Sequence, residues 1–215
     1  MTGVSILGSV AAAATTHVHD TFGDRNGTAL EDHVPDLAPG RWTVELGSWV
    51  IKRGFVSEES KARETPSSDY RAVIDSGAAD GRVEATITNA GGSQFFGVVA
   101  RYEGPIDWIM AFYDGQGDIV LGMKQPDEGE HGETPAAGGT AGYFQEFGRV
   151  SHEWKPGKTG RLAIVLSGPQ FSVELDGELL IGPVSDDDNA GNSTHGIFVR
   201  GNGAARFDEF VVTGE

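Results

Sequence analysis

Residues 171–177 read Phe171-Ser172-Val173-Glu174-Leu175-Asp176-Gly177. Phe171, Val173 and Leu175 alternate with Ser172, Glu174 and Asp176, so an extended chain puts three apolar side chains on one face and three polar ones on the other. Half-buried strands of this kind belong to antiparallel sheets with one solvated face. Asp176-Gly177 then supplies two residues that tolerate positive φ, the composition of a two-residue hairpin turn. Outward from this hairpin the same alternation returns in Arg82 to Thr88, where Val83, Ala85 and Ile87 share a face, and Asp80-Gly81, Asp114-Gly115 and Asn202-Gly203 repeat the turn chemistry. Further strands are expected over Trp42 to Leu46, Trp49 to Lys52, Tyr70 to Asp75, Phe95 to Tyr102, Trp108 to Tyr113, Ile119 to Lys124, Tyr143 to Val150, Leu162 to Ser167, Gly196 to Arg200 and Arg206 to Val212. About a dozen short strands at this spacing predict an all-β fold, a two-sheet antiparallel β-sandwich of the jelly-roll type.

The whole composition agrees. The chain has 215 residues, of which 32 are glycine, roughly twice average usage and without a collagen period. At 38% hydrophobic and 22% charged it has the make-up of a folded protein, and its length suits one all-β domain. A net charge of −16 repels phosphate backbones and anionic lipid, which argues against nucleic-acid binding and against a membrane-surface role. The absence of cysteine excludes disulfides, thiolate metal sites and a thiol nucleophile. Residues 1–19 read as an N-terminal arm and residues 20–215 as a single β-sandwich domain. Within the arm, Val4 to Ala14 is too short to span a bilayer and no Lys or Arg precedes it, so neither membrane insertion nor a signal peptide is expected. An Ala-rich arm suits docking on a larger assembly. Ser57 to Asp69 and Gln125 to Gly142, the latter with Asp127, Glu128, Glu130 and Glu133, are expected as surface excursions.

A resemblance follows from the second half. Trp154-Lys155-Pro156-Gly157, then Arg161-Leu162-Ala163-Ile164-Val165, then the hairpin at Asp176-Gly177 resemble the concanavalin A-like lectin/glucanase jelly rolls, including laminin G-like modules. The segment Gly196-Ile197-Phe198-Val199-Arg200 followed by Phe207-Asp208-Glu209-Phe210-Val211-Val212 is similar to that group's last two strands. Asp20-Thr21-Phe22, Asn26-Gly27-Thr28, Leu30, His33, Pro35-Asp36 and Trp42 are similar to the opening of jelly-roll modules in bacteriophage tail and virion proteins and in bacterial secreted proteins.

Candidate chemistry is sparse. Glu174-Leu175-Asp176-Gly177-Glu178 matches the Glu-x-Asp-x-Glu spacing of jelly-roll glucanases, whose carboxylates line one face of a continuous strand. Here Asp176-Gly177 reads as a turn, which sends Glu178 onto the returning strand. His17 and His19 have a spacing that suits zinc, but no third ligand can be identified. Calcium is the cofactor expected: Asp186 and Asp188 stand in an oxygen-rich loop with Asp187, Asn189 and Asn192, and the resemblance carries a structural calcium site between terminal strands to Asp208 and Asp20. A glycan face needs flat aromatics beside hydrogen-bonding groups, which singles out Trp108, Tyr113, Trp154 and Tyr102.

With no catalytic set surviving, the sequence leads to a non-enzymatic binding or assembly module. The expected identity is a bacteriophage virion component, a minor tail or decoration protein, with other virion proteins as partners and cell-surface glycan as a possible ligand. The alternative is a secreted, extracellular module, either a lectin or a glucanase-type glycoside hydrolase.

Overall fold

The computed structural model of the chain describes residues 14–60, 69–91, 95–126, 142–200 and 205–214. Among them are fifteen strands, numbered along the chain, one 3-10 turn at Leu30–Asp32 and no α-helix. The first sheet runs β13 (Glu178–Ser185), β12 (Gln170–Leu175), β11 (Thr159–Ser167), β6 (Gly81–Asn89), β15 (Ala205–Gly214), β4 (Phe55–Glu58), β3 (Trp49–Lys52), and β1 (Thr15–Asp20) also pairs with β15. The second runs β10 (Gly142–Ser151), β9 (Asp118–Pro126), β8 (Asp107–Tyr113), β7 (Phe95–Gly104), β14 (Thr194–Arg200), β5 (Asp69–Asp75), β2 (Thr43–Leu46). Every pairing is antiparallel, so the expected two-sheet sandwich is the fold observed.

The alternation that opened the sequence works as it should. Phe171, Val173 and Leu175 face inward with Val83, Ala85 and Ile87 from β6 and Leu162, Ile164 and Leu166 from β11. They meet Phe96, Val98 and Ala100 of β7, Ile109 and Ala111 of β8, and Ile197 and Val199 of β14 across the sandwich. Burial of this shared apolar layer is the main driving force of the fold. Asp176 and Gly177 hold φ of 53° and 85°, so the hairpin turn has two left-handed residues. Where strands approach most closely, glycine is required: a Cβ on Gly97 meets the Ala111 carbonyl oxygen at 2.0 Å, and one on Gly196 meets that of Ala72 at 2.1 Å.

Three boundaries differ from expectation. Residues 15–20 form β1, so the end of the expected arm belongs to the first sheet, while residues 1–13 lie outside the described residues. Phe55–Glu58 is a strand rather than the start of a surface excursion, because the Glu58 carboxylate is buried and accepts the Ser60 and Ser48 backbone N–H groups at 2.6 and 3.3 Å. Asp69, at that excursion's far end, is buried in β5. The acidic run Asp127 to Glu133 and the Asn202-Gly203 turn lie outside the described residues.

A buried polar latch joins the sheets at one end. Arg101 of β7 sits at φ 50° where the β7–β8 register shifts, and its side chain is fully buried. Its guanidinium donates to the Gly168 carbonyl in the β11–β12 turn at 2.6 Å and to Asp80, just before β6, at 2.8 Å. Beside it, His195 of β14 accepts the Arg101 backbone N–H through Nδ1 at 3.2 Å and donates from Nε2 to the Ala78 carbonyl at 2.8 Å. These partners require the neutral ring, and burial, reinforced by the Arg101 charge, pulls its pKa from 6.5 to about 4. Unfolding restores the ordinary value, so the stability held in the neutral ring is complete above pH 6.5 and is lost as pH falls towards 4. Denaturant titrations over that interval are expected to lose on the order of 1–3 kcal/mol, and His195→Gln to flatten the slope. An equally steep slope in the variant contradicts the assignment.

Candidate functional site

The outer face of the second sheet departs from an ordinary sandwich surface. On β8, Ile109 and Ala111 point into the core, so Trp108, Met110 and Phe112 point outward. They join Val73, Val99, Val120 and Phe198 in a second buried cluster with Phe95 packed against it. Trp108 and Phe112 both meet Phe198 edge-to-face, with ring centroids 5.2 and 5.8 Å apart. This aromatic floor carries a polar layer. The Arg71 guanidinium lies 5.5 Å from the Tyr102 ring and 5.9 Å from Trp108, the Lys124 ammonium 5.7 Å from Trp108, and the Arg200 guanidinium 4.9 Å from Phe95.

Two carboxylates organise that layer. Asp69 accepts from Lys124 at 2.6 Å and from Arg200 at 2.7 Å while its side chain is 1% exposed. Burial alone pushes the Asp69 carboxyl up, but the hydrogen bonds and charges of Arg200 and Lys124 outweigh it and hold the carboxyl below its ordinary value. On neighbouring β2, the exposed Glu45 accepts from the Tyr102 hydroxyl at 2.9 Å. Arg71 closes the chain, donating to Tyr102 at 3.3 Å and to the Asp69 carbonyl at 2.9 Å. Glu45, Asp69, Arg71, Lys124 and Arg200 went unnoticed in the sequence. Their signal is parity: Asp69, Arg71 and Val73 alternate on β5 in step with Trp108, Met110 and Phe112 on β8.

The four expected glycan-binding aromatics fall on opposite faces. Tyr113 and Trp154 belong to the inter-sheet core, Trp154 lying edge-to-face with Phe96 at 5.2 Å and donating to the Lys158 carbonyl at 3.0 Å. Trp108 and Tyr102 share the outer face but are 0% and 7% exposed. Trp108 is therefore floor rather than an open stacking platform.

The expected calcium ligands do not assemble into one site. Asp20 is fully buried and accepts from Trp42 at 2.7 Å, His33 at 2.9 Å and the Phe22 backbone N–H at 2.7 Å, so its oxygens are already used. Asp208 lies on the solvent side of β15, accepts from Thr88 at 3.0 Å, and has its carboxyl raised by burial. Asp186, Asp187 and Asp188 bring carboxylate oxygens within 4.8 Å of one another in the β13–β14 loop, a grouping able to accept a cation. Nearby Asp107, bonded by Asn189, is raised first by burial and further by Glu103, Asp188 and Asp186. Glu174 stands on the outer side of the first sheet, paired with Arg82, and Glu178 begins β13 exposed at the hairpin tip. They do not share a strand face.

No family model and no curated protein matches the sequence. Solved structures do match, and the fold is that of the concanavalin A-like jelly rolls. A carbohydrate-binding module from Bacillus subtilis is 15% identical over 81% of this chain and 92% of its own, with a TM-score of 0.52. A laminarinase from Rhodothermus marinus is 14% identical over 94% of this chain and 98% of its own, with a TM-score of 0.58. A β-glucanase from Bacillus licheniformis is 10% identical over 96% of this chain and all of its own, with a TM-score of 0.57. At these identities the likeness establishes the fold. It also corrects the expectation of a non-enzymatic chain: the structures matched along nearly its whole length include glucanases, so this fold does not set enzymatic function aside. The expected virion role gains nothing from these likenesses.

The two faces separate by mutation. Asp69→Asn leaves Lys124 and Arg200 without their counter-charge and is expected to cost about 2–4 kcal/mol by denaturant titration, reduced from a fully buried pair because Arg200 is partly solvated. Trp154→Ala opens the inter-sheet core and is expected to cost about 3–5 kcal/mol.

Proposed function

We propose that the protein is a glycan-active jelly roll that engages a saccharide chain along the outer face of its second sheet. The observation that carries this reading is the polar layer of Glu45, Tyr102, Arg71, Lys124 and Arg200 over an aromatic floor. Saccharides are recognised by charged and hydroxyl groups set against their hydroxyl rim, and the buried aromatic floor holds these groups in place. The likeness to a carbohydrate-binding module and to β-glucanases supports the ligand class.

Hydrolysis of the bound chain, the second reading, rests on Glu45. Glu45 and Asp69 project from the adjacent strands β2 and β5 onto this one face, but Asp69 is 1% exposed with Lys124 and Arg200 on its two oxygens. The exposed Glu45 is therefore the carboxylate placed to meet a bound chain as general acid or base, while Asp69 holds the surrounding cations in place.

Both readings are tested with β-1,3-gluco-oligosaccharides, the class represented by the laminaritriose bound to one similar enzyme. Calorimetric titration is expected to show binding that weakens by roughly tenfold in Glu45→Ala, whose melting temperature is little changed, and in Arg200→Ala, whose melting temperature falls because the buried Asp69 loses one of its two cations. Affinity that survives both changes removes the outer face from consideration. Reducing-sugar release is expected from the wild type and lost in Glu45→Gln; turnover retained in that variant excludes Glu45 from catalysis.

A further inference from the structure

A concave site lies on the other sheet. The tip of the β3–β4 hairpin, the loop at Asn26 and the start of β15 enclose a cleft of about 850 Å³, within the range of small-ligand sites. In a protein of net charge −16, Lys52, Arg53 and Arg206 line this one cleft with Glu58 and Glu59, so its lining is cationic by one charge. Arg206 stacks its guanidinium 4.9 Å over the Phe55 ring, which fixes a flat cationic surface on the wall. Arg53 occupies the left-handed turn at φ 55°, and its backbone N–H donates to Asn26 Oδ1 at 2.6 Å, tying loop to hairpin.

The carboxylates at the cleft cancel these charges only in part. Glu59 is taken by Lys52, and Glu58 is 1% exposed and turned to the backbone N–H groups of Ser48 and Ser60. Arg53 and Arg206, both exposed, make no close ion pair with a described residue, although the Arg206 charge acts on Asp208. Two guanidinium groups whose donors have no carboxylate partner among the described residues, beside an aromatic ring and the Asn26 amide, are a receptor for a compact anion carried on a hydroxyl-bearing scaffold. A long polyanion is disfavoured by the net charge of the whole molecule.

We propose that this cleft binds an acidic saccharide, a glycan unit bearing carboxylate or sulfate, at a site separate from the outer face of the second sheet. The saccharide part rests on the glycan-active reading above, and the anionic part rests on the cleft alone. The test titrates the full chain calorimetrically with three probes: an oligogalacturonide, a sulfated oligosaccharide and a neutral β-1,3-gluco-oligosaccharide. Binding of at least one acidic probe is expected, weakening with added salt and by roughly tenfold or more in the double variant Arg53→Asn, Arg206→Gln. Asn tolerates the left-handed turn at position 53, and an unchanged melting temperature of the double variant shows that it is folded. Which acidic probe binds identifies the anion. Failure of both acidic probes overturns the proposal, as does acidic binding that survives the double variant or that is lost instead in Glu45→Ala and Arg200→Ala. Acidic binding without neutral binding upholds the cleft and overturns the outer face.

Discussion

A sheet that is apolar on both faces is the constraint from which the rest of this molecule follows. The first sheet is ordinary: Val83, Ala85 and Ile87 point in, while Arg82, Glu84 and Glu174 pair in solvent. The second cannot be solvated in that way, because Trp108, Met110 and Phe112 stand behind Ile109, Ala111 and Tyr113 on a single strand. An apolar layer of that size facing water is unfavourable. Arg71, Lys124 and Arg200 cover it with their charged ends and aliphatic stems, and that layer creates both the buried Asp69 and the saccharide-compatible surface. Architecture and candidate function thus share one cause.

Much of this was legible in the sequence where it depended on period-two alternation. The hairpin at Asp176-Gly177, the central strands and the two-layer class follow from local pattern and turn chemistry. What escaped depended on pairing between distant strands. Asp69 looked like the end of a charged loop, since only Lys124 and Arg200, 55 and 131 residues away, make its burial possible. Tyr113 and Trp154 looked as suitable for sugar as Trp108, because an aromatic residue does not disclose which face of its sheet it occupies. Asp20 resembled a metal ligand until the structure brought Trp42 and His33 to its oxygens.

Charge placement adds a second layer of meaning to the net −16. The described cations are spent unevenly: Arg82, Arg101, Arg149 and Lys124 are bound to carboxylates, whereas Arg53 and Arg206 line one cleft with no close ion pair to a described residue. Two such guanidinium groups in one concavity are the basis of the anion site proposed there. The outer face, by contrast, uses its cations internally to hold Asp69 and shade Trp108.

The central claim is that a saccharide chain lies on the outer face of the second sheet. A crystal structure of the protein soaked with a β-1,3-gluco-oligosaccharide tests it most directly. The account predicts sugar density over the Arg71–Lys124 layer, with hydroxyl groups on Glu45 and Arg200. Sugar bound only at another surface, or an unoccupied outer face under conditions where titration detects binding, contradicts it.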